Sequence, residues 1–119
     1  MKKALLLFLV ALFMQTANAK IWLVDNNSTF FLTNVQDALD SSAFVAGDTV
    51  MVVGSSTLYG SITIVLPVTI IGEGINNISG QNTKFDIINI HCSNVQISGV
   101  DVNQLTLDTW VGSDTISDV

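Results

Sequence analysis

The sequence is poor in positive charge. It contains no arginine, and its four lysines stand against ten acidic residues, which gives a formal net charge of −6. Proteins that bind nucleic acids neutralise phosphates with lysine and arginine, and attachment to an anionic membrane surface needs the same basic groups. We therefore expect no nucleic-acid partner, and no membrane partner once the leader described below has been removed.

Cysteine and histidine are almost absent. Cys92 is the one cysteine, so the chain has no internal disulfide, and His91 is the one histidine. Structural zinc sites use four ligands, which makes a zinc site improbable here. Neighbours in a strand point to opposite faces, which disfavours a catalytic Cys–His pair. The prediction for Cys92 is a buried structural thiol.

Only one long apolar run is present, and it lies at the start of the chain. Residues 4–14 follow the basic pair Lys2 and Lys3, and the small residues Ala17 and Ala19 come next. The run is shorter than the roughly 20 residues that span a membrane. This order is typical of a secretory signal peptide over residues 1–19, with cleavage leaving Lys20 first. The loss of two lysines would change the formal charge from −6 to −8. We expect a secreted or cell-surface protein, exported by a bacterial leader.

What the chain has instead is short β-branched runs between glycines. Residues 50–53, 62–65 and 68–71 are rich in valine and isoleucine, which pack well in strands. Alternation predicts that one set of side chains points inward: Val50, Val52, Ile62, Ile64, Val68 and Ile70. It predicts that the other set points outward: Met51, Val53, Thr63, Thr69 and Ile71. Pro67 cannot donate to a ladder and belongs before the third strand.

Similar runs recur along the chain. Val50 and Val68 are 18 residues apart, Val95 follows after 27 more, and Thr115 after a further 20. Strands repeating near this spacing favour a solenoid of parallel strands. A β-sandwich remains a competing interpretation. Further strands are predicted at residues 21–24, 85–90, 94–99, 100–102, 105–107 and 114–119.

A short helix is predicted before the first of the three central strands. Thr33 or Asn34 can act as its N-cap, with Gln36 or Asp37 as the capping-box partner. An apolar stripe follows at helical spacing: Val35, Ala38, Leu39 and Ser42. Such a helix could cover the open end of stacked strands and prevent association there.

Several segments carry a resemblance to a known family. They are residues 35–40 (VQDALD), 47–50 (GDTV), 58–60 (LYG) and 70–74 (IIGEG), followed less closely by residues 95–99. They resemble the N-terminal cap and first coils of right-handed parallel β-helix proteins, the pectin-lyase-like superfamily. The segment 53–59 departs from the pattern because it is longer and lacks a proline. The resemblance implies an all-β, right-handed parallel β-helix with an N-terminal capping α-helix. Residues 20–119 would form the cap and about three to four coils, truncated at the end.

The same resemblance implies a range of functions. Family members include secreted polysaccharide lyases, glycoside hydrolases, surface proteins and adhesins. Their catalytic residues lie in central coils, and no motif of that kind matches here, so no catalytic, cofactor-binding or metal-binding residue is carried over. The predicted function is therefore a non-catalytic N-terminal portion that binds polysaccharide or cell-surface components. Two alternatives remain open: a fragment of a polysaccharide lyase or glycoside hydrolase, and a structural adhesin or spacer.

A few residues could still carry chemistry. The pairs Asp101 with Asp108 and Asp114 with Asp118 could hold calcium, although solvated aspartates are the favoured interpretation and no cofactor is predicted. Lys84 and His91 are the candidates for a general base, and both are expected to be structural or solvated. Three aromatic residues could stack on sugar rings if exposed, although packing in the core or the cap is the default: Trp22, Tyr59 and Trp110.

Overall fold

The computed structural model describes residues 19–29, 31–74, 81–107 and 114–117. Its one helix there is α1 (Val35–Leu39). The strands are β1 (Ile21–Val24), β2 (Thr49–Val52), β3 (Ile62–Ile64), β4 (Thr69–Gly72), β5 (Thr83–Ile90), β6 (Gln96–Ser98), β7 (Val100–Leu107) and β8 (Thr115–Ser117).

The strands form two sheets, and every described pairing is parallel. The five-stranded sheet has the order β1-β2-β4-β6-β8, and the three-stranded sheet has the order β3-β5-β7. From β2 onwards the chain alternates between the sheets at each strand. Parallel neighbours need such a connection, because a tight hairpin cannot join them.

The core lies between the sheets and consists of stacked β-branched side chains. Val50 pairs with Ile70 and Ile70 with Ile97, and all three are buried. Ile62 and Ile88 form an equivalent buried pair in the other sheet. The six side chains predicted to point inward are all buried, so that prediction is confirmed. Burying such side chains contributes about 1.5–3 kcal/mol each relative to exposure.

The predicted fold class, an all-β right-handed parallel β-helix with a capping helix, is wrong. The steps between register partners are uneven, at 28 residues (Trp22 to Val50), 20 (to Ile70), 27 (to Ile97) and 19 (to Ile116). The three-stranded sheet has no strand between β1 and β2, where the chain forms α1 instead. No regular solenoid is present in the described segments, because connections of different length replace a repeating unit.

The helix also differs from the prediction. It is five residues long and buries Val35 and Ala38. Asn34 is its N-cap, and the Asn34 Oδ1 accepts a hydrogen bond from the Gln36 backbone N at 2.9 Å. The Gln36 side chain does not complete a capping box but reaches β3, and Ser42 lies beyond the helix and is exposed. The helix packs against β1, β2 and β3, and a covering role across an open end is not shown.

Two further predictions are settled by the strand bounds. The sequence predicts separate strands at residues 100–102 and 105–107, whereas β7 runs through both as one eight-residue strand. Pro67 precedes β4, as predicted.

The predicted leader falls almost wholly on residues 1–18, which lie outside the described residues. Within the described part of the chain, no helix is long and apolar enough to cross a membrane.

Candidate functional site

The five-stranded sheet turns one face away from the core, and we call the side chains on it the outer face. They form two rows of register partners. The first row is Leu23, Met51, Ile71, Ser98 and Ser117. The second row is Ile21, Thr49, Thr69, Gln96 and Thr115. Neighbouring strands lie about 4.8 Å apart, so each row presents side chains at that interval.

The first row begins with three apolar side chains that water reaches. Leu23, Met51 and Ile71 are 38%, 42% and 38% exposed. They line a shallow depression of about 90 Å³, which Glu73 borders at the ends of the strands. Single exposed apolar residues are ordinary on protein surfaces. Three on adjacent strands form a contiguous patch, and such patches often mark a contact surface.

The second row is polar after Ile21. Thr49 and Thr69 are partly exposed, and Gln96 and Thr115 are exposed. Hydroxyl and amide groups both donate and accept hydrogen bonds. The outer face therefore combines apolar contact area with an adjacent line of hydrogen-bonding groups, and β-branched residues on short parallel strands hold both in place.

Neither Trp22 nor Tyr59 contributes to this face. The Trp22 ring lies 6.1 Å from the Phe44 ring, and its Nε1 donates to Asp48 Oδ2 at 2.9 Å. Tyr59 is buried, with its hydroxyl donating to the Val53 carbonyl oxygen at 2.5 Å. The predicted default of core packing is confirmed for Trp22 and Tyr59. Trp110 lies outside the described residues.

Cys92 is only partly buried, so the prediction of a buried thiol was wrong in degree. The side chain packs against the core. Burial raises the pKa of its thiol, and the negative charge of Asp114 raises it further. The thiol is therefore protonated at neutral pH, whereas a nucleophilic cysteine needs its thiolate. His91 is exposed directly after β5.

The predicted calcium pairs stay untested, because one member of each pair is outside the part of the chain that the structure describes. Asp108 and Asp118 lie outside the described residues. Asp101 is exposed and accepts a hydrogen bond from Asn82 Nδ2 at 3.2 Å. Asp114 Oδ1 accepts one from the Val95 backbone N at 2.8 Å. Across residues 19–29, 31–74, 81–107 and 114–117, no group of three or more His, Cys, Asp or Glu side chains could hold a metal ion. Lys84, on β5, is exposed.

Among the described residues, Asp48 is a fully buried acidic side chain, which sequence reasoning missed. It lies directly before β2. Its carboxylate accepts hydrogen bonds from Lys20 N at 2.8 Å, Trp22 Nε1 at 2.9 Å and Val45 N at 3.0 Å. Burial by itself would raise the pKa of Asp48, but these hydrogen bonds and the charge of Lys20 outweigh it and lower the pKa. The carboxylate is therefore ionised at neutral pH.

Asp114 occupies the equivalent position before β8. Each aspartate precedes a strand by one residue and accepts from the backbone N that precedes the neighbouring strand. Free backbone donors at strand ends need partners when they are buried. An aspartate directly before a β-branched run is the sequence signal that could have identified this arrangement.

No protein-family model matches the chain, and no curated protein or solved structure is significantly similar to it. The resemblance to the pectin-lyase-like superfamily therefore gains no support from comparison and stays a prediction. The function must be inferred from the geometry of the chain itself.

Proposed function

We propose that the chain is an exported, non-catalytic binding protein whose outer face binds a neutral polysaccharide. The observation that carries the proposal is the row of half-exposed apolar side chains Leu23, Met51 and Ile71, beside a parallel row of threonine and glutamine. This arrangement supports binding because it offers two kinds of contact in fixed register.

A sugar ring has an apolar face of C–H groups and a rim of hydroxyls. The first row can contact the apolar face, and the second row can exchange hydrogen bonds with the rim. A polymer repeats these features, as the strands repeat theirs about every 4.8 Å. Several weak contacts along one chain then act together and raise the overall affinity.

Charge favours a neutral polymer over an anionic one. The whole chain has a formal charge of −6, and no arginine is present to form the bidentate contacts that carboxylates and sulfates favour. An anionic polysaccharide would be repelled at low ionic strength. The two rows of the outer face contain no aromatic residue, which predicts weak binding per sugar unit, so a long or insoluble polymer is the appropriate ligand for a first test.

The experiment is a pull-down of the purified exported protein with insoluble neutral polysaccharides, namely cellulose and chitin, and affinity electrophoresis in soluble neutral glucan and in pectate. We expect retention by at least one neutral polymer and none by pectate. The variants Met51→Lys and Ile71→Lys should reduce retention at least about tenfold, which corresponds to about 1.4 kcal/mol.

The matched control is Val65→Lys. Val65 is 63% exposed, lies between β3 and β4, and is not on the outer face. It places the same charge on the protein at another exposed apolar position, so its retention should match that of the original chain. Equal loss in all three variants, retention by pectate alone, or retention by no polymer would contradict the proposal.

The two alternatives from the sequence remain predictions without a specific observation in their favour. If the chain were an active fragment of a polysaccharide lyase, the 119-residue protein would release unsaturated uronates from pectate. That result would overturn the non-catalytic assignment. If the chain were only a structural spacer, the outer-face variants would leave binding to every polymer unchanged.

A further inference from the structure

We propose that hydrolysis of the Ala19–Lys20 peptide bond, by the peptidase that removes the export leader, creates an α-ammonium at Lys20 that binds the buried Asp48 carboxylate. The inference concerns maturation of the chain and goes beyond the binding function. It rests on the position of one backbone nitrogen, which belongs to the residue that the leader pattern predicts to become the first.

The nitrogen of Lys20 is already at the carboxylate. It lies 2.8 Å from Asp48 Oδ1, whereas Trp22 Nε1 and Val45 N both donate to Oδ2. The described contacts thus leave Oδ1 to the Lys20 nitrogen. The Lys20 carbonyl accepts from Thr49 N at 2.9 Å, which holds the residue in register with Asp48.

The side chain of Lys20 does not take this place. Its Nζ donates to the Ala43 carbonyl oxygen at 3.1 Å and lies 5.9 Å from the centre of the Trp22 ring. The charged groups that face the Lys20 nitrogen are thus the Asp48 carboxylate and, further out, its own ammonium. An α-ammonium formed here would meet a carboxylate that is enclosed by protein.

The scissile bond is accessible in the structure. Ala19 and Lys20 are both exposed, although the neighbouring Asp48 is fully buried. Residues 17–19 (Ala-Asn-Ala) supply the small side chains that leader peptidases accept. Cleavage of this bond would leave the new amine of Lys20 beside Asp48, where the folded chain holds that nitrogen.

Hydrolysis would turn the Lys20 amide N–H into an ammonium while the nitrogen keeps its place beside Asp48. Water adds across the amide, Ala19 keeps the new carboxylate, and Lys20 keeps the new amine, which takes up a proton because α-amino groups titrate near 7.7–8.0. A neutral N–H···O⁻ bond becomes a charge-assisted one, which is shorter and stronger. The buried Asp48 carboxylate, whose three hydrogen-bond donors were neutral N–H groups, gains a positive charge in direct contact.

Asp114 provides an internal control. Its Oδ1 accepts from the Val95 backbone N at the same 2.8 Å, but Val95 can never be a chain terminus created by leader removal. Replacing Asp114 therefore removes a carboxylate that pairs with an amide in the same way but does not contact the new ammonium, whereas replacing Asp48 removes the partner of that ammonium.

The experiment starts from the full chain expressed and exported in a bacterial host. Intact mass and N-terminal sequencing of the exported product should give Lys20 as the first residue. The product is then dimethylated with ¹³C-formaldehyde, which preserves the charge, and the α-amine is titrated by NMR beside the ε-amines of Lys20 and Lys84. We expect the α-amine pKa to lie about one unit or more above its usual range.

The Asp48→Asn variant should return the α-amine pKa to its usual range, and the Asp114→Asn variant should leave it raised. If Asp48→Asn does not fold, the comparison of the original product with Asp114→Asn and with an unstructured peptide of residues 20–29 replaces it. A product that begins at another residue, or an α-amine that titrates at 7.7–8.0 in the folded protein, would overturn the proposal.

Discussion

Thr83 shows how one polar side chain can join the two sheets. It is fully buried at the start of β5. Its Oγ1 donates to the carbonyl oxygen of Val52, on β2, at 2.9 Å and accepts from the Glu73 backbone N at 3.1 Å. The hydroxyl of this β5 residue therefore satisfies two backbone groups of the five-stranded sheet, one on β2 and one directly after β4.

We expect Thr83→Val to lower the free energy of unfolding by about 1–3 kcal/mol, because it keeps the shape of the side chain but leaves both backbone groups unpaired. Thr83→Ser keeps the hydroxyl and loses one methyl group, so it should cost only about 0.8 kcal/mol. Urea titration followed by circular dichroism measures both. A valine variant at least as stable as the serine variant would refute this role.

Gly99 is required for two reasons that can be separated. Its φ of +68° is strained for other residues, and a Cβ there would lie 2.5 Å from the Gly72 carbonyl oxygen. Gly60 has a φ of +77°, but no atom lies within 4 Å of the position that a Cβ would take there. We expect Gly60→Ala to cost about 1 kcal/mol from backbone strain.

Gly99→Ala should cost clearly more than Gly60→Ala, by about 1–3 kcal/mol, because the backbone of β4 and the turn before β7 must also separate. The urea midpoints of the two variants give the comparison. Equal midpoints would mean that the close approach of Gly99 to Gly72 does not limit the fold.

The buried carboxylate of Asp48 makes the stability of the fold depend on pH. Because its folded-state pKa is lowered, its contribution is fully present above the unfolded value of about 3.9 and is lost as pH falls through the folded pKa. We expect the urea midpoint to fall on acidification below about pH 4. Asp48→Asn should flatten that part of the profile. A variant with the same acid-dependent loss as the original chain would contradict this.

At the residue scale, the sequence predicts apolar positions better than polar ones. It assigns Val50, Ile62 and Ile70 to the interior because β-branched alternation is a local signal. It does not reveal that Asp48 and Thr83 are buried, because each has a partner far along the chain, Lys20 at 28 residues and Val52 at 31 residues. A polar side chain is buried only where distant groups satisfy it, and single-sequence patterns do not report those groups.

At the scale of elements, α1 protects the edge of the three-stranded sheet. β3 is the outermost strand in its order. The Gln36 Oε1 accepts from the Thr63 backbone N at 2.8 Å, and its Nε2 donates to the Thr63 carbonyl oxygen at 3.3 Å. The side-chain amide of Gln36 thus makes the two backbone hydrogen bonds at Thr63 that a neighbouring strand would otherwise make. Unpaired strand edges promote association, so this contact also protects solubility.

We expect Gln36→Ala to lower the free energy of unfolding by about 1–2 kcal/mol and to accelerate hydrogen exchange of the Thr63 amide. Gln36→Glu keeps the acceptor and loses the donor, so Thr63 N should stay partly protected. Asp37→Ala, at an exposed neighbouring position, should change stability by less than about 0.5 kcal/mol. Unchanged exchange at Thr63 in Gln36→Ala would exclude the role in edge protection.

The helix itself can be predicted and its partner cannot. Asn34 is one of two N-cap candidates in the sequence, and helical spacing places Val35 and Ala38 on the apolar side, as observed. Local spacing makes Gln36 one of two candidates for a capping box, the other being Asp37. The real partner of Gln36 is Thr63, 27 residues later, and only the folded chain brings the two together.

At the scale of the whole molecule, strand positions follow from the sequence but the fold class does not. Short apolar runs between glycines locate β2, β3 and β4 correctly within a residue or two. The near-regular spacing suggests a solenoid, whereas the register steps between 19 and 28 residues reflect connections of unequal length. The apolar runs specify which face of each strand is buried. The lengths of the connections between strands do not establish a regular repeat.

The binding surface also belongs to the whole molecule, because no single strand forms it. Leu23, Met51 and Ile71 come from three strands that are spread over nearly half of the chain. The sequence predicts the outward orientation of Met51 and Ile71, but their exposure next to Leu23 depends on β1 pairing with β2 across the loop that contains α1. Sequence alone could not give that neighbourhood.

Met51 offers the most direct report on this surface. It is the middle apolar residue of the first row, and it is the one methionine left in a chain that begins at Lys20. With ¹³C-methyl labelling, addition of an oligosaccharide from the retained neutral polymer should shift or broaden the Met51 methyl signal and leave the Val65 methyl signals unchanged. An unchanged Met51 signal, with perturbation confined to Val65 or to the three-stranded sheet, would show that the outer face is not the binding surface.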